Sequence, residues 1–200
     1  GCNSLEKIEV SQENKNYSSA DGVLFNKDKT VLYKFPAGKS LKEYTIPESV
    51  TKVYAGAFSE CKNNQENKKL YKDGLLVVGK WIVNITKEIA PDLHIPGGNV
   101  THIADNVFNL SVLKSVTVPE SIISIGDNAF LGLELRSISV DDKNQNFSSE
   151  DGVLYDKNKT KLIRYPVGKN DKEFLIPKTV KTIGEYAFVY NKYLKKVTLQ

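Results

Sequence analysis

The chain contains no methionine, one tryptophan, two cysteines and two histidines in 200 residues. Each scarcity removes a class of chemistry. Triad catalysis needs a histidine between a nucleophile and an orienting acid, and no Gly-x-Ser-x-Gly motif accompanies His94 or His102. A zinc centre needs three or four ligands in register, and two histidines separated by Pro96, Gly97 and Gly98 do not provide them. No enzymatic activity, metal site or cofactor is therefore expected, and both histidines read as surface or half-buried structural residues. Long hydrophobic runs are also missing. The densest stretch, Leu75 to Ile85, is interrupted by Lys80 and Asn84 and falls short of the roughly 20 apolar residues of a membrane span, so a soluble segment without membrane insertion is expected. Charge of one sign is not in excess: 28 basic and 24 acidic side chains leave a net +4, too little and too evenly spread to mark a nucleic-acid partner. What is present is apolar material, 40% hydrophobic and 10% aromatic residues, enough to exclude disorder.

That material repeats itself at two scales. Residues 5–58 align without a gap on residues 135–188, and nearly half of the aligned positions are identical, including Asp21-Gly22-Val23-Leu24 against Asp151-Gly152-Val153-Leu154. A middle insert of about residues 70–95 restarts the same pattern at Asp73-Gly74-Leu75-Leu76. Within the long units a shorter sentence recurs, from Ile46-Pro47 to Ala57-Phe58, Ile95-Pro96 to Val107-Phe108, Val118-Pro119 to Ala129-Phe130 and Ile176-Pro177 to Ala187-Phe188. Phe108 to Phe130 spans 22 residues, a period within the leucine-rich repeat range, and is the one uninterrupted coil.

The local grammar of a coil is consistent. Alternation in Leu113-x-x-Val116-x-Val118 predicts a short strand with one buried face, and the same triplet stands at Leu5-Ile8-Val10, Leu135-Ile138-Val140 and Leu194-Val197-Leu199. Proline ends the strand by withholding a ladder donor. Ile122, Ile125, Ala129 and Phe130 then take a helix-like spacing that predicts one loose helical turn. Neighbouring coils must cover the inward residues, for which Phe58, Phe108, Phe130, Phe188, Ile125, Ile183, Leu113 and Val116 are the expected core rungs. The inserts read as β-hairpins: Val23–Phe25 with Leu32–Phe35 around the tip 26–30, a copy around 156–160, and Leu75–Val78 with Trp81–Ile85 around Gly79-Lys80.

The sentence from Leu113 to Phe130, with Pro119, Ser121, Ile122, Ile125, Gly126 and Ala129 in place, resembles the BspA-type (Treponema pallidum type) leucine-rich repeats of bacterial surface proteins. The Asp-Gly-Val-Leu inserts are similar to those found between such repeats. The resemblance implies a right-handed leucine-rich-repeat solenoid of the α/β class, β-rich with single short helical turns and inserted β-hairpins. It also implies an exported or wall-attached bacterial protein acting in adhesion to host or other cells, and it carries over no catalytic residue. Residues 1–200 are thus expected to be one solenoid fragment of a larger protein, because Gly1 opens in mid-repeat.

Several residues invite a closer reading. Cys61, three after Phe58, and Cys2, three before Leu5, occupy a packing position of the repeat and read as two buried thiols, the rival for Gly1-Cys2 being a lipid-attachment end. The tips Asn26-x-Asp28-x-Thr30 and Asp156-x-Asn158-x-Thr160 alternate oxygen ligands as calcium loops do, but lysines stand where further carboxylates and a glycine are needed, so plain turns are expected, and Lys157→Ala, in a tip, is expected to be nearly neutral. Asn-x-Ser/Thr triplets at Asn16, Asn84, Asn99, Asn109, Asn146 and Asn158 read as turn chemistry. Trp81, Tyr71, Tyr33, Tyr186, Tyr190 and Tyr193 lie beside lysines, and exposed aromatics on a rigid sheet suit stacking on sugars or anchoring a protein. The expected role is a monomeric, non-enzymatic module binding an extracellular protein or glycan at a bacterial cell surface. A spacer, or an accessory region of a larger surface enzyme, is the alternative.

Overall fold

Asp-Gly pairs turn the chain back on itself. Asp21, Asp73 and Asp151 hold φ of 49°, 48° and 49°, and the following glycines 73°, 80° and 76°. Two successive left-handed residues make the type I′ turn whose twist matches that of flanking antiparallel strands. The computed structural model of the chain describes residues 2–61, 64–109, 112–132 and 134–200. It divides into two compact units interleaved in sequence, one of residues 1–86, 102–107 and 125–129, the other of 87–101, 108–124 and 130–200.

In the first unit, β1 (Tyr17–Ala20), β2 (Val23–Asn26) and β3 (Val31–Lys34) form an antiparallel meander, and β4 (Lys52–Val53) adds to β3 in parallel. The helix α1 (Gln65–Lys68) follows, capped by the Asn64 side chain, which accepts from the Glu66 and Asn67 N–H groups. A second hairpin, β5 (Leu75–Val78) and β6 (Trp81–Ile85), pairs in parallel with β8 (His102–Ile103), while β7 (Asp92–His94) belongs to the second unit. The core holds Phe25, Leu32, Phe35, Val53, Phe58, Leu76, Ile82 and Ile103, all nearly without solvent contact. Phe35 and Phe58 stack with centroids 5.2 Å apart.

In the second unit, β7, β9 (Ser115–Val118) and β11 (Ser137–Val140) form a parallel sheet one strand per coil. β10 (Ser124–Ile125) lies where the chain passes from residues of the second unit to residues of the first. β12 (Phe147–Glu150), β13 (Val153–Asp156) and β14 (Lys161–Arg164) repeat the first meander, and β16 (Thr182–Ile183) pairs with β14 as β4 does with β3. Even the register shift recurs, between Leu24 and Phe25 in one copy and Leu154 and Tyr155 in the other. β15 (Glu173–Ile176) and β17 (Lys196–Leu199) form the last parallel pair. Phe108 and Phe130 stack with rings 3° from parallel, centroids 5.5 Å apart. The fold is a leucine-rich-repeat β-solenoid with almost no helix.

Several expectations need amendment. The first and last hairpin inserts each have a third strand, β1 or β12, in front of the Asp-Gly turn, because Asn14 and Asn144 bend the chain there by accepting two N–H groups each. No strand is assigned at Leu5-Ile8-Val10, since no described strand lies alongside to complete a ladder. The helical turn after each proline is reduced to single turns such as Ala129 N–H to Gly126 O, preceded by a two-residue parallel strand that satisfies the backbone instead. Among the proposed rungs, Phe58, Phe108, Phe130, Leu113 and Val116 are buried, whereas Phe188 and Ile125 are half-buried. Ile183 is 44% exposed, whereas Val53, at the same position of the first copy, is buried and its carbonyl accepts from the Asp105 N–H of the next coil.

Candidate functional site

Strand alternation sends Leu32 into the first unit's core and Tyr33 to the opposite face. The parallel register pairs Val31 with Lys52 and Leu32 with Val53, and the Tyr54 N–H continues the ladder to the Leu32 carbonyl at 2.9 Å. Tyr54 is thereby set beside Tyr33, ring centroids 5.4 Å apart. On the other side Tyr17, at the start of β1, packs edge-on against Tyr33 at 5.7 Å with the rings 72° apart. Three tyrosines form a stripe across the outer face, and its ends are 44% (Tyr17) and 50% (Tyr54) exposed. Edge-to-face packing holds the rings in place and leaves both hydroxyls and ring surface for a partner.

Charge beside the stripe is carried by one lysine shared between two aspartates. Lys52, two residues before Tyr54, pairs with Asp105 at 3.2 Å and Asp127 at 2.5 Å. Its hydrogen bond to Asp127 raises the ammonium pKa, and burial raises that of the Asp105 carboxyl. The stripe thus offers aromatic surface with one negative charge in excess at that end. In the duplicated copy the same positions are Phe147, Ile163 and Gly184, so the stripe is particular to the first copy.

Of the aromatics singled out from sequence, Tyr33 is the centre of the stripe and the others lie elsewhere. Trp81 is only 5% exposed: its register with His102 lays the indole on the imidazole at 4.4 Å, and its ring is a packing element, not a recognition surface. Burial and the Lys80 ammonium lower the His102 pKa. Tyr71 is half-buried, its hydroxyl accepting from Asn84 at 2.9 Å. In the second unit Tyr186, Tyr190 and Tyr193 are exposed, but so are Ile183, Leu175 and Leu199 on the outer strands. Tyr186, two residues before Phe188, takes φ of 58° at the position held by Asn106 and Asn128 in other coils, Tyr190 takes 62°, and the Arg164 guanidinium donates to the Tyr186 carbonyl. Sequence reading missed Tyr17 and Tyr54. Comparing the two copies position by position is the signal that exposes them.

The remaining candidates are explained locally. Asn26 closes its hairpin by accepting from the Thr30 and Val31 N–H groups, and Asp156 does so by accepting from Thr160 and Lys161. Lys157 is not free: its ammonium donates to the Asp142 carbonyl at 3.0 Å and to that of Asn144. Burial pushes the Cys61 thiol up to about 12, while Cys2 is exposed, in a turn closed by Leu5 N–H to Cys2 O that leaves its side chain in solvent. No helix among the described residues is long and apolar enough to cross a membrane. Among them, no three His, Cys, Asp or Glu side chains converge as a metal site would require.

Comparison with known proteins places this geometry in context. The profile of the BspA type leucine rich repeat region matches residues 30–155 and 168–200, in six copies. No curated protein sequence matches the chain. Among solved structures, a leucine-rich repeat protein from Eubacterium ventriosum is similar at a TM-score of 0.56 and 24% identity, over 92% of this chain and 58% of that one. The pneumococcal vaccine antigen PcpA is similar at 0.47 and 21% identity, over 99% of this chain and 58% of its own. A leucine rich cell surface protein from Faecalibacterium prausnitzii gives 0.44 and 22%, over 76% and 46%. The chain thus spans between 46% and 58% of the length of these structures.

Proposed function

Because the chain belongs to the BspA-type leucine-rich repeat family, we propose that it is a non-enzymatic interaction module of an exported bacterial surface protein. It engages an extracellular protein or glycan through the stripe of Tyr17, Tyr33 and Tyr54. The observation that carries this reading is the ring-on-ring placement of half-buried Tyr33 between exposed Tyr17 and Tyr54 on one sheet face, absent from the otherwise parallel second copy. A spacer gains nothing from exposed aromatics, whereas tyrosine is enriched among the residues that dominate binding energy at interfaces.

The test is a screen of the purified chain against extracellular-matrix proteins and glycans, with Tyr54→Ala in parallel. A saturable partner whose binding falls by about 2 kcal/mol in a folded Tyr54→Ala protein supports the reading. Silence across the screen, or a partner indifferent to Tyr54, overturns it in favour of the spacer.

A further inference from the structure

The three rings of the stripe do not lie flat. Tyr17 meets Tyr33 at 72° and Tyr54 meets it at 55°, so the rings stand at steep angles to one another with a notch on either side of Tyr33. A glycan lies along a run of aromatics by placing successive sugar faces on ring faces. Here a ring turned toward such a ligand has its neighbour turned 55° or 72° away. Notches between aromatic rings suit a different ligand shape, the pyrrolidine ridges of a polyproline II helix. The centroid spacings of 5.7 and 5.4 Å keep the outer rings within about 11 Å of each other. At a rise of about 3.1 Å per residue, roughly three or four residues of such a helix cover the stripe.

The polar groups of the stripe point the same way. None of its three hydroxyls is hydrogen-bonded to a described residue. The buried, unpartnered hydroxyl among the described residues is that of Tyr44, so half-buried Tyr33 keeps its own in contact with solvent. A polyproline II segment is rich in acceptors and short of donors, because proline has no N–H and the helix has no internal hydrogen bonds to occupy its carbonyls. Three tyrosine O–H donors in a row match it. Charge decides what flanks the prolines: Lys52, two residues before Tyr54, is shared between Asp105 and Asp127, and the Asp127 side chain is 76% exposed. A cation gains from the excess negative charge there, and a neutral glycan does not.

On the reading of the stripe as the binding surface, on which this rests, we propose that it takes a proline-rich segment of the partner protein in the polyproline II conformation, with a lysine or arginine beside Asp127. The partner is then a protein and not a glycan, and it is read through the notches on either side of Tyr33.

The experiment is an NMR titration of the whole chain with an acetylated peptide of six prolines ending in two lysines, its counterpart ending in two glutamates, cellotetraose and chitotetraose. Three variants accompany wild type. Tyr33→Ile installs the residue that the second copy has at 163, so it is expected to fold. Tyr17→Phe/Tyr54→Phe keeps the rings and removes two donors, and Asp127→Asn removes the exposed carboxylate. The expected result is saturable shifts with the lysine-ended peptide, weakened tenfold or more in Tyr33→Ile and at least threefold in each of the other variants. Wild type is expected to bind the glutamate-ended peptide at least threefold more weakly. No saturable shift with either peptide overturns the inference, as does equal affinity of wild type for the two peptides or of wild type and Tyr33→Ile for the lysine-ended one. Binding of a tetrasaccharide in place of the peptides, lost in Tyr33→Ile, also overturns it while leaving the stripe standing as the binding surface.

Discussion

At the scale of the residue, neighbours decide what a side chain is for. Cys61 and Cys2 look alike in sequence, but burial keeps the Cys61 thiol protonated while Cys2 faces solvent. At pH 8 an alkylating reagent is expected to modify Cys2 in the native chain and Cys61 only after denaturation, which mass spectrometry with time would report. Asn144 is wholly buried, accepting from Asn146 and Phe147 and donating to the Pro119 and Ile122 carbonyls. Asn144→Ala should cost about 2–4 kcal/mol in urea denaturation, and the exposed counterpart Asn14→Ala roughly 1 kcal/mol or less. Trp81 was the misleading residue in the sequence. The run Val78 to Ile85 allows either face to be buried, and only the parallel pairing with His102 settles which. Trp81→Ala is therefore expected to destabilise by about 3–5 kcal/mol as a core truncation.

At the scale of the element, most of the architecture was legible. The proline-terminated strands and the Asp-Gly turns carry their own local signals, and Phe108 and Phe130 stack at the spacing their 22-residue period implies. Their neighbours are the illegible part. Ile183 occupies the same repeat position as Val53, yet it is 44% exposed while Val53 is buried beside the coil that carries Asp105, a difference of assembly that no local pattern contains. β1 and β12 escaped because Tyr17-Ser18-Ser19-Ala20 and Phe147-Ser148-Ser149-Glu150 are polar and pair through the turn that follows them. Gly152 makes the turn testable: it has φ of 76°, and an added Cβ would lie 2.8 Å from the Ser137 hydroxyl oxygen. Gly152→Ala should lower stability by about 1–3 kcal/mol, and an unchanged melting temperature would refute the turn assignment. Lys157→Ala, near-neutral on a sequence reading, is now expected to loosen the hairpin tip because two carbonyls lose their donor.

At the scale of the whole molecule, the duplication is the most informative feature, because each copy serves as a control for the other. Where the copies agree, as in the Asp-Gly turns and the register shift, the residues build the fold. Where they diverge on the outer face, Tyr17, Tyr33 and Tyr54 of the first copy stand where the second has Phe147, Ile163 and Gly184, and that difference supports the proposed binding role. Only Tyr33 of the stripe was visible in the linear sequence, since the side-by-side placement of Tyr17 and Tyr54 depends on strand pairing across the sheet. The most direct test of the interaction role is the affinity of the double variant Tyr17→Ala/Tyr54→Ala for a partner found by screening. Binding is expected to weaken at least tenfold with the melting temperature within a few degrees of wild type. Equal affinity in the two proteins would contradict the assignment of the stripe as the binding surface.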